Sequence, residues 1–146
     1  MTITRRDAVL SFAAFAEMFR AASANAQPPA GAPQATPRPP VFVQSLPNLT
    51  MEDWQVTVSI VDYAPGRVGP AHQHPGFVLA YVLEGSVVTK VSGQGDEKVY
   101  TTGQMFYEQP GATHEVSKNA SQTVPAKLLA MIFAKKGSTL TTPVRG

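Results

Sequence analysis

The chain has no cysteine among its 146 residues. That absence excludes disulfides, thiolate metal sites and a cysteine nucleophile together, and leaves any metal to nitrogen and oxygen ligands. Charge is sparse as well: 12 basic and 10 acidic residues give a formal net charge of +2. That balance is too small and too scattered for a nucleic-acid surface. There is no basic stripe with interleaved aromatics, no glycine-rich phosphate loop and no internal repeat. No nucleic-acid partner is expected. No apolar run is long enough to span a bilayer, so no stable membrane span is expected in the mature protein. The length allows one domain with a modest core.

What is present divides into four stretches. Residues 1–26 carry Arg5 and Arg6 ahead of an Ala- and Phe-rich run, Ala8 to Phe19, and end on Ala24-Asn25-Ala26 before Gln27. This three-part layout predicts a bacterial secretory signal and a periplasmic or secreted product. Thr4-Arg5-Arg6 is also similar to a twin-arginine export signal, although Asp7 and Ala8 fit that pattern poorly. Glu17 and Arg20 interrupt the apolar run, so an N-terminal amphipathic helix is the alternative. Removal of the segment takes away three basic and two acidic residues and leaves the chain nearly neutral. Residues 27–40 hold six of the 13 prolines, which suits an extended spacer and no packed element. The folded domain is expected over 41–136, with a short polar tail at 137–146.

Within 41–136 the pattern is β throughout. Val56, Val58 and Ile60 alternate with Thr57 and Ser59, the period of a half-buried strand. Phe77 to Leu83 is almost continuously apolar, as for a strand covered on both faces. Glu84-Gly85 and Gly93-Gln94-Gly95-Asp96 supply turns. Further short strands are expected at Ser86–Val91, Lys98–Thr101, Gln104–Glu108, His114–Ser117 and Ala126–Phe133. Short strands punctuated by Gly and Pro, with no helix after residue 26, imply an all-β sandwich or barrel.

The chain contains three histidines. His72 and His74 flank Gln73, so on a strand both imidazoles share a face. His114 follows the turn Pro110-Gly111-Ala112-Thr113. Three imidazoles converging inside a barrel need hydrogen-bond partners or a metal. Gly66, Gly69 and Gly76 beside Pro65, Pro70 and Pro75 read as turns that aim the first two.

These residues stand in a recognisable frame. Gly66, five residues, His72-Gln73-His74 and then Gly85 follow the spacing G-x5-H-x-H-x3-4-E-x6-G. Gly103, Gln109-Pro110-Gly111, His114 and Asn119 follow G-x5-P-x-G-x2-H-x3-N, with Gln109 for the first proline and Asn119 one place late. Over roughly Val56 to Phe133 the chain resembles the cupin superfamily, small single-domain bacterial members above all. Tyr81-Val82-Leu83-Glu84-Gly85 is similar to them too. The resemblance implies a double-stranded β-helix barrel of the jelly-roll type, and one divalent transition-metal ion (Fe, Mn, Ni, Co, Cu or Zn) held by His72, His74 and His114. It also implies pairing of two copies through barrel edges.

One position departs from the pattern. The motif glutamate falls seven residues before Gly85, where the chain has Val78. Glu84 belongs to a turn and lies too far along the strand. Glu108 is the better candidate, because it faces the interior if Phe106 does; the alternative is an exposed strand-end carboxylate. Two arrangements follow: a three-histidine centre, or one completed by Glu108, which is also the candidate to move a proton. On the parity of the histidines, Val78, Ala80 and Val82 should line a small apolar pocket. Trp54, Phe77, Tyr81, Phe106 and Tyr107 are expected in the core or an interface.

The expected activity is metal-dependent chemistry on a small organic molecule, oxygenase-type first and lyase or isomerase second. The competing class is a non-catalytic module that binds a metal or small ligand.

Overall fold

The computed structural model describes residues 37–144. The expected signal segment and most of the proline-rich spacer lie outside the described residues. From Pro39 onward the chain forms one compact unit. The ten strands among the described residues are β1 (Trp54–Tyr63), β2 (Val68–Gly69), β3 (His72–Gln73), β4 (Phe77–Glu84), β5 (Ser86–Val91), β6 (Lys98–Thr101), β7 (Met105–Glu108), β8 (Thr113–Asn119), β9 (Ala126–Lys135) and β10 (Thr142–Pro143). They pair antiparallel in two sheets. One runs β1-β9-β4-β7; the other runs β10-β3-β8-β5-β6, with β2 also on β8. This is the all-β double-stranded β-helix that the sequence implies.

The inner face of the four-stranded sheet follows the period of two. On β9, Ala126, Leu128, Ala130, Ile132 and Ala134 are buried; on β4, Val78, Ala80 and Val82 are. Tyr63, Val82, Val87, Phe106, Ala126 and Leu128 close into the core around Ala80. Beside that cluster the inward side chains are small, and the interior stays open. On the opposite face Phe77 stacks on Phe133 at 4.6 Å between ring centroids, with Trp54 and Tyr107 each 6.1 Å from it. These aromatics sit where core or packing residues were expected.

Strand β1 departs from the expected half-buried arrangement. Its apolar row, Val56, Val58 and Ile60, points outward and is about half exposed. The intervening Ser59, Val61 and Tyr63 line the cavity described below. The strand is an edge of its sheet.

Two glycines are required by close approach. A side chain at Gly76 would fall on the Phe133 carbonyl oxygen. At Gly85, which turns β4 into β5 with φ 68°, a Cβ would lie 2.5 Å from the Pro125 carbonyl oxygen.

Candidate metal centre

Strands β3 and β8 pair with His72 directly opposite His114. Their ring centroids lie 5.0 Å apart, and His74 is 5.0 Å from His72. Two of the rings are anchored from behind. His72 Nδ1 lies 2.8 Å from the Pro70 carbonyl oxygen, and His74 Nδ1 lies 2.7 Å from that of Leu140. An N–H donated at Nδ1 leaves the Nε2 lone pair free, the usual way a backbone carbonyl fixes the tautomer of a metal-binding histidine. Pro70 thus does more than turn the chain.

Glu108 is buried on the same inner face as Phe106. Its Oε1 is 3.2 Å from His114 Nδ1, and its Oε2 is 3.8 Å from His74 Nε2. The register places Glu108 directly across from Val78. A carboxylate therefore sits on the neighbouring strand, facing the position from which the motif glutamate is missing. Glu84, by contrast, is exposed and pairs with Lys127 Nζ at 2.8 Å.

No three His, Asp or Glu donors among the described residues already stand as a coordination set. Their chemistry nonetheless fits a divalent ion. His114 Nε2 is buried with no hydrogen-bond partner, and an unpartnered imidazole nitrogen in such a place is unfavourable unless something occupies it. Nitrogen donors beside one carboxylate are a set that first-row transition metals accept.

The histidines and Glu108 line a cavity of about 400 Å³, together with Val78, Ala80, Ala130 and Ile132. Val78 and Ala80 are where parity put them. Val82 is fully buried in the core instead, because the closed end of the barrel leaves it no cavity to face. Four further groups on the wall carried no local signal: Tyr63, Arg67, Ser117 and the C-terminal stretch Leu140 to Pro143. The sequence predicts a polar tail over 137–146, yet β10 pairs with β3, and Leu140, Thr141 and Pro143 line the cavity beside the histidines.

Two expected results arise here. Truncation after Thr139 removes the carbonyl that orients His74, and divalent-ion affinity should fall about tenfold. Competition against a chromogenic chelator measures this, and an unchanged affinity would count against the anchoring role. The second concerns pH. Burial holds the His72 pKa below its ordinary value; the Pro70 hydrogen bond opposes the shift, and His114 and His74 reinforce it. Above the unfolded pKa of about 6.5 this group adds no pH dependence. As pH falls below that, the unfolded chain binds a proton that the folded chain resists, so metal-free stability declines. Urea unfolding across the acid range should show a shallower decline for His72→Gln than for the parent.

The motif residues outside the histidine set also have visible duties. Gln109, in place of the motif proline, accepts from Gln94 Nε2 at 2.8 Å and donates to the Ser92 carbonyl at 3.1 Å. It ties the turn before His114 to the β5–β6 turn. The Asn119 side chain donates to the carbonyls of Tyr63, Ala64 and Val124 and accepts from Ser121 N–H.

The barrel gathers three histidines and one carboxylate on the wall of one cavity. Residues 59–132 match the cupin domain family, and the chain belongs to it. Among solved structures, it is similar to an uncharacterized double-stranded β-helix protein from Klebsiella pneumoniae (20% identity, TM-score 0.50, covering 62% of this chain and 76% of that one). It is also similar to the DMSP lyase DddQ from Ruegeria pomeroyi (18%, 0.53, 61% and 43%). A third is the oxalate decarboxylase of Lactobacillus farciminis (18%, 0.52, 61% and 26%). The chain thus spans less than half of that lyase and about a quarter of that decarboxylase, and at these identities the likeness concerns the fold. No curated protein matches the chain.

Proposed function

We propose that the chain is a metal-dependent cupin enzyme acting on a small organic molecule, with His72, His74, His114 and Glu108 holding one divalent transition-metal ion. The observation that carries this reading is the Glu108–Val78 register, which returns a carboxylate to the three-histidine face. A bound ion supplies Lewis-acid polarisation of substrate oxygen and open positions for substrate or dioxygen. The chain's own residues supply orientation. The Pro70 and Leu140 carbonyls fix two rings, and the apolar wall limits water at the reacting end. Glu108 is the one carboxylate on the wall, with no lysine beside it. Tyr63 is a second group on that wall able to move a proton, so oxygenase-type chemistry is proposed first, with lyase or isomerase chemistry beside it.

Metal analysis of protein purified and reconstituted with each first-row divalent ion tests the centre. One equivalent retained by the parent, and lost in His114→Ala, is the expected outcome; no retained ion would remove the reading. Oxygen uptake across phenols, diketones and organic acids then separates an enzyme from a binding module, the second reading.

Two peripheral parts of the proposal have their own tests. Export is supported by the Arg5-Arg6 segment; replacing both arginines should abolish secretion through a twin-arginine route. Pairing of two copies is supported by the uncharged outward row Val56, Val58 and Ile60 on an edge strand, and a monomer in sedimentation would overturn it.

A further inference from the structure

We propose that Arg67, Tyr63 and Ser117 form a carboxylate subsite on the cavity wall, so that the substrate is a small organic acid with an apolar body. The inference rests on the cavity being a substrate site, as proposed above, but not on which groups hold the metal.

Arg67 is the one Lys or Arg on the wall. Its guanidinium lies over the Tyr63 ring, 5.1 Å from the centroid, and Nη1 donates to the Asp62 carbonyl. Stacking of this kind fixes the plane of the fork while leaving its other N–H groups unengaged. No carboxylate pairs with it among the described residues. A planar, pre-oriented fork matches a carboxylate in shape as well as charge.

The hydroxyls beside it complete the recognition. Tyr63 Oη and Ser117 Oγ are buried and 2.8 Å apart. Their mutual bond uses one hydroxyl proton, so the second is left to donate outward. Burial raises the Tyr63 pKa and outweighs the Ser117 hydrogen bond and the Arg67 charge, which lower it, so the phenol remains a donor at neutral pH. An anion here would accept from a hydroxyl and a guanidinium at once. Glu108 faces His114 and His74, but its charge still reaches Tyr63 and raises that phenol's pKa, so the Arg67 cation is what offsets it for an incoming anion. The rest of the wall is apolar: Val61, Val78, Ala80, Leu128, Ala130 and Ile132. At about 400 Å³ the cavity is at the small end of ligand pockets, and suits a short acid better than a polyanion.

Calorimetric titration with two matched pairs, hexanoate against hexanamide and benzoate against benzamide, tests the subsite. Metal content is measured on every sample. The acid of at least one pair should bind about tenfold or more tighter than its amide. In Arg67→Gln that preference should fall to about threefold or less, while Arg67→Lys keeps part of it because the charge remains without the fork. Thermal melts confirm that each variant folds. Equal binding of acid and amide, or no binding of either acid, overturns the subsite. So does a preference that survives in Arg67→Gln, since the carboxylate would then be reading the metal. An Arg67-dependent preference in protein that retains no metal would uphold the subsite and remove the metal reading.

Discussion

Replacing Glu108 with Val lowers divalent-ion affinity on the order of a hundredfold, and adding Val78→Glu in the same chain restores most of it. Residues 78 and 108 are direct partners across β4 and β7. Side chains at such positions leave the sheet on the same face, with Cβ atoms roughly 5 Å apart. Exchanging the two keeps the total side-chain volume and the single carboxylate, and moves only the strand that carries it. Both positions are buried, Val78 at 1% and Glu108 at 4% exposure, so the restored carboxylate enters the same water-poor space. Chelator competition gives the affinities. If Glu108→Val alone changes nothing, the centre is the three-histidine arrangement and Glu108 is not a ligand. If the double variant is no better than the single one, position 78 cannot reach the ion.

Asn119→Leu is expected to cost about 3 kcal/mol or more, because each buried backbone group left without its partner costs about 1–3 kcal/mol. The amide serves three carbonyls and one N–H, and Leu fills the same space while serving none. In a domain of this size the melting point should drop on the order of 15 °C. Asn119→Asp separates hydrogen bonding from size. A carboxylate cannot donate to the carbonyls of Tyr63, Ala64 and Val124, so Asp should be no better than Leu. A loss below about 1 kcal/mol in both variants would show that water replaces the amide. The consequence reaches the cavity, since two of the carbonyls held by Asn119, those of Tyr63 and Ala64, belong to the segment that leads into Arg67. Acid binding should weaken in parallel with stability.

The parts of the site that could be read in the sequence were those governed by local period. His72 and His74 share a face at a spacing of two, and Glu108 follows Phe106 inward for the same reason. Strand positions were legible for that reason too. Pairing was not, because nothing local says which strand lies beside which. Period placed Val78 and Glu108 on inward faces, yet their opposition is a matter of register between β4 and β7. Arg67, Tyr63, Ser117 and Leu140 reach the wall through pairing of this kind as well. An exposed arginine in a Gly-Pro loop, a tyrosine ending a strand and a leucine near the C-terminus have no shared spacing. Orientation failed at β1, where the alternation of Val56, Val58 and Ile60 was plain but its apolar face turned outward. On β1 the inward row is Ser59, Val61 and Tyr63, a mixed lining of the cavity, and the more apolar row is the one left outside.

The anchoring of His74 by a carbonyl 66 residues further along bears on the barrel's kinetics. Contacts of such sequence span require most of the chain to be in place, so they form late on the route to the folded state. A ligand that depends on them gains little hold on the transition state for folding and a full hold on the finished barrel. Refolding should therefore run at the same rate with or without an occupant, while unfolding slows as the cavity fills. What enters the cavity sets how long the barrel lasts, and leaves unaltered how fast it forms.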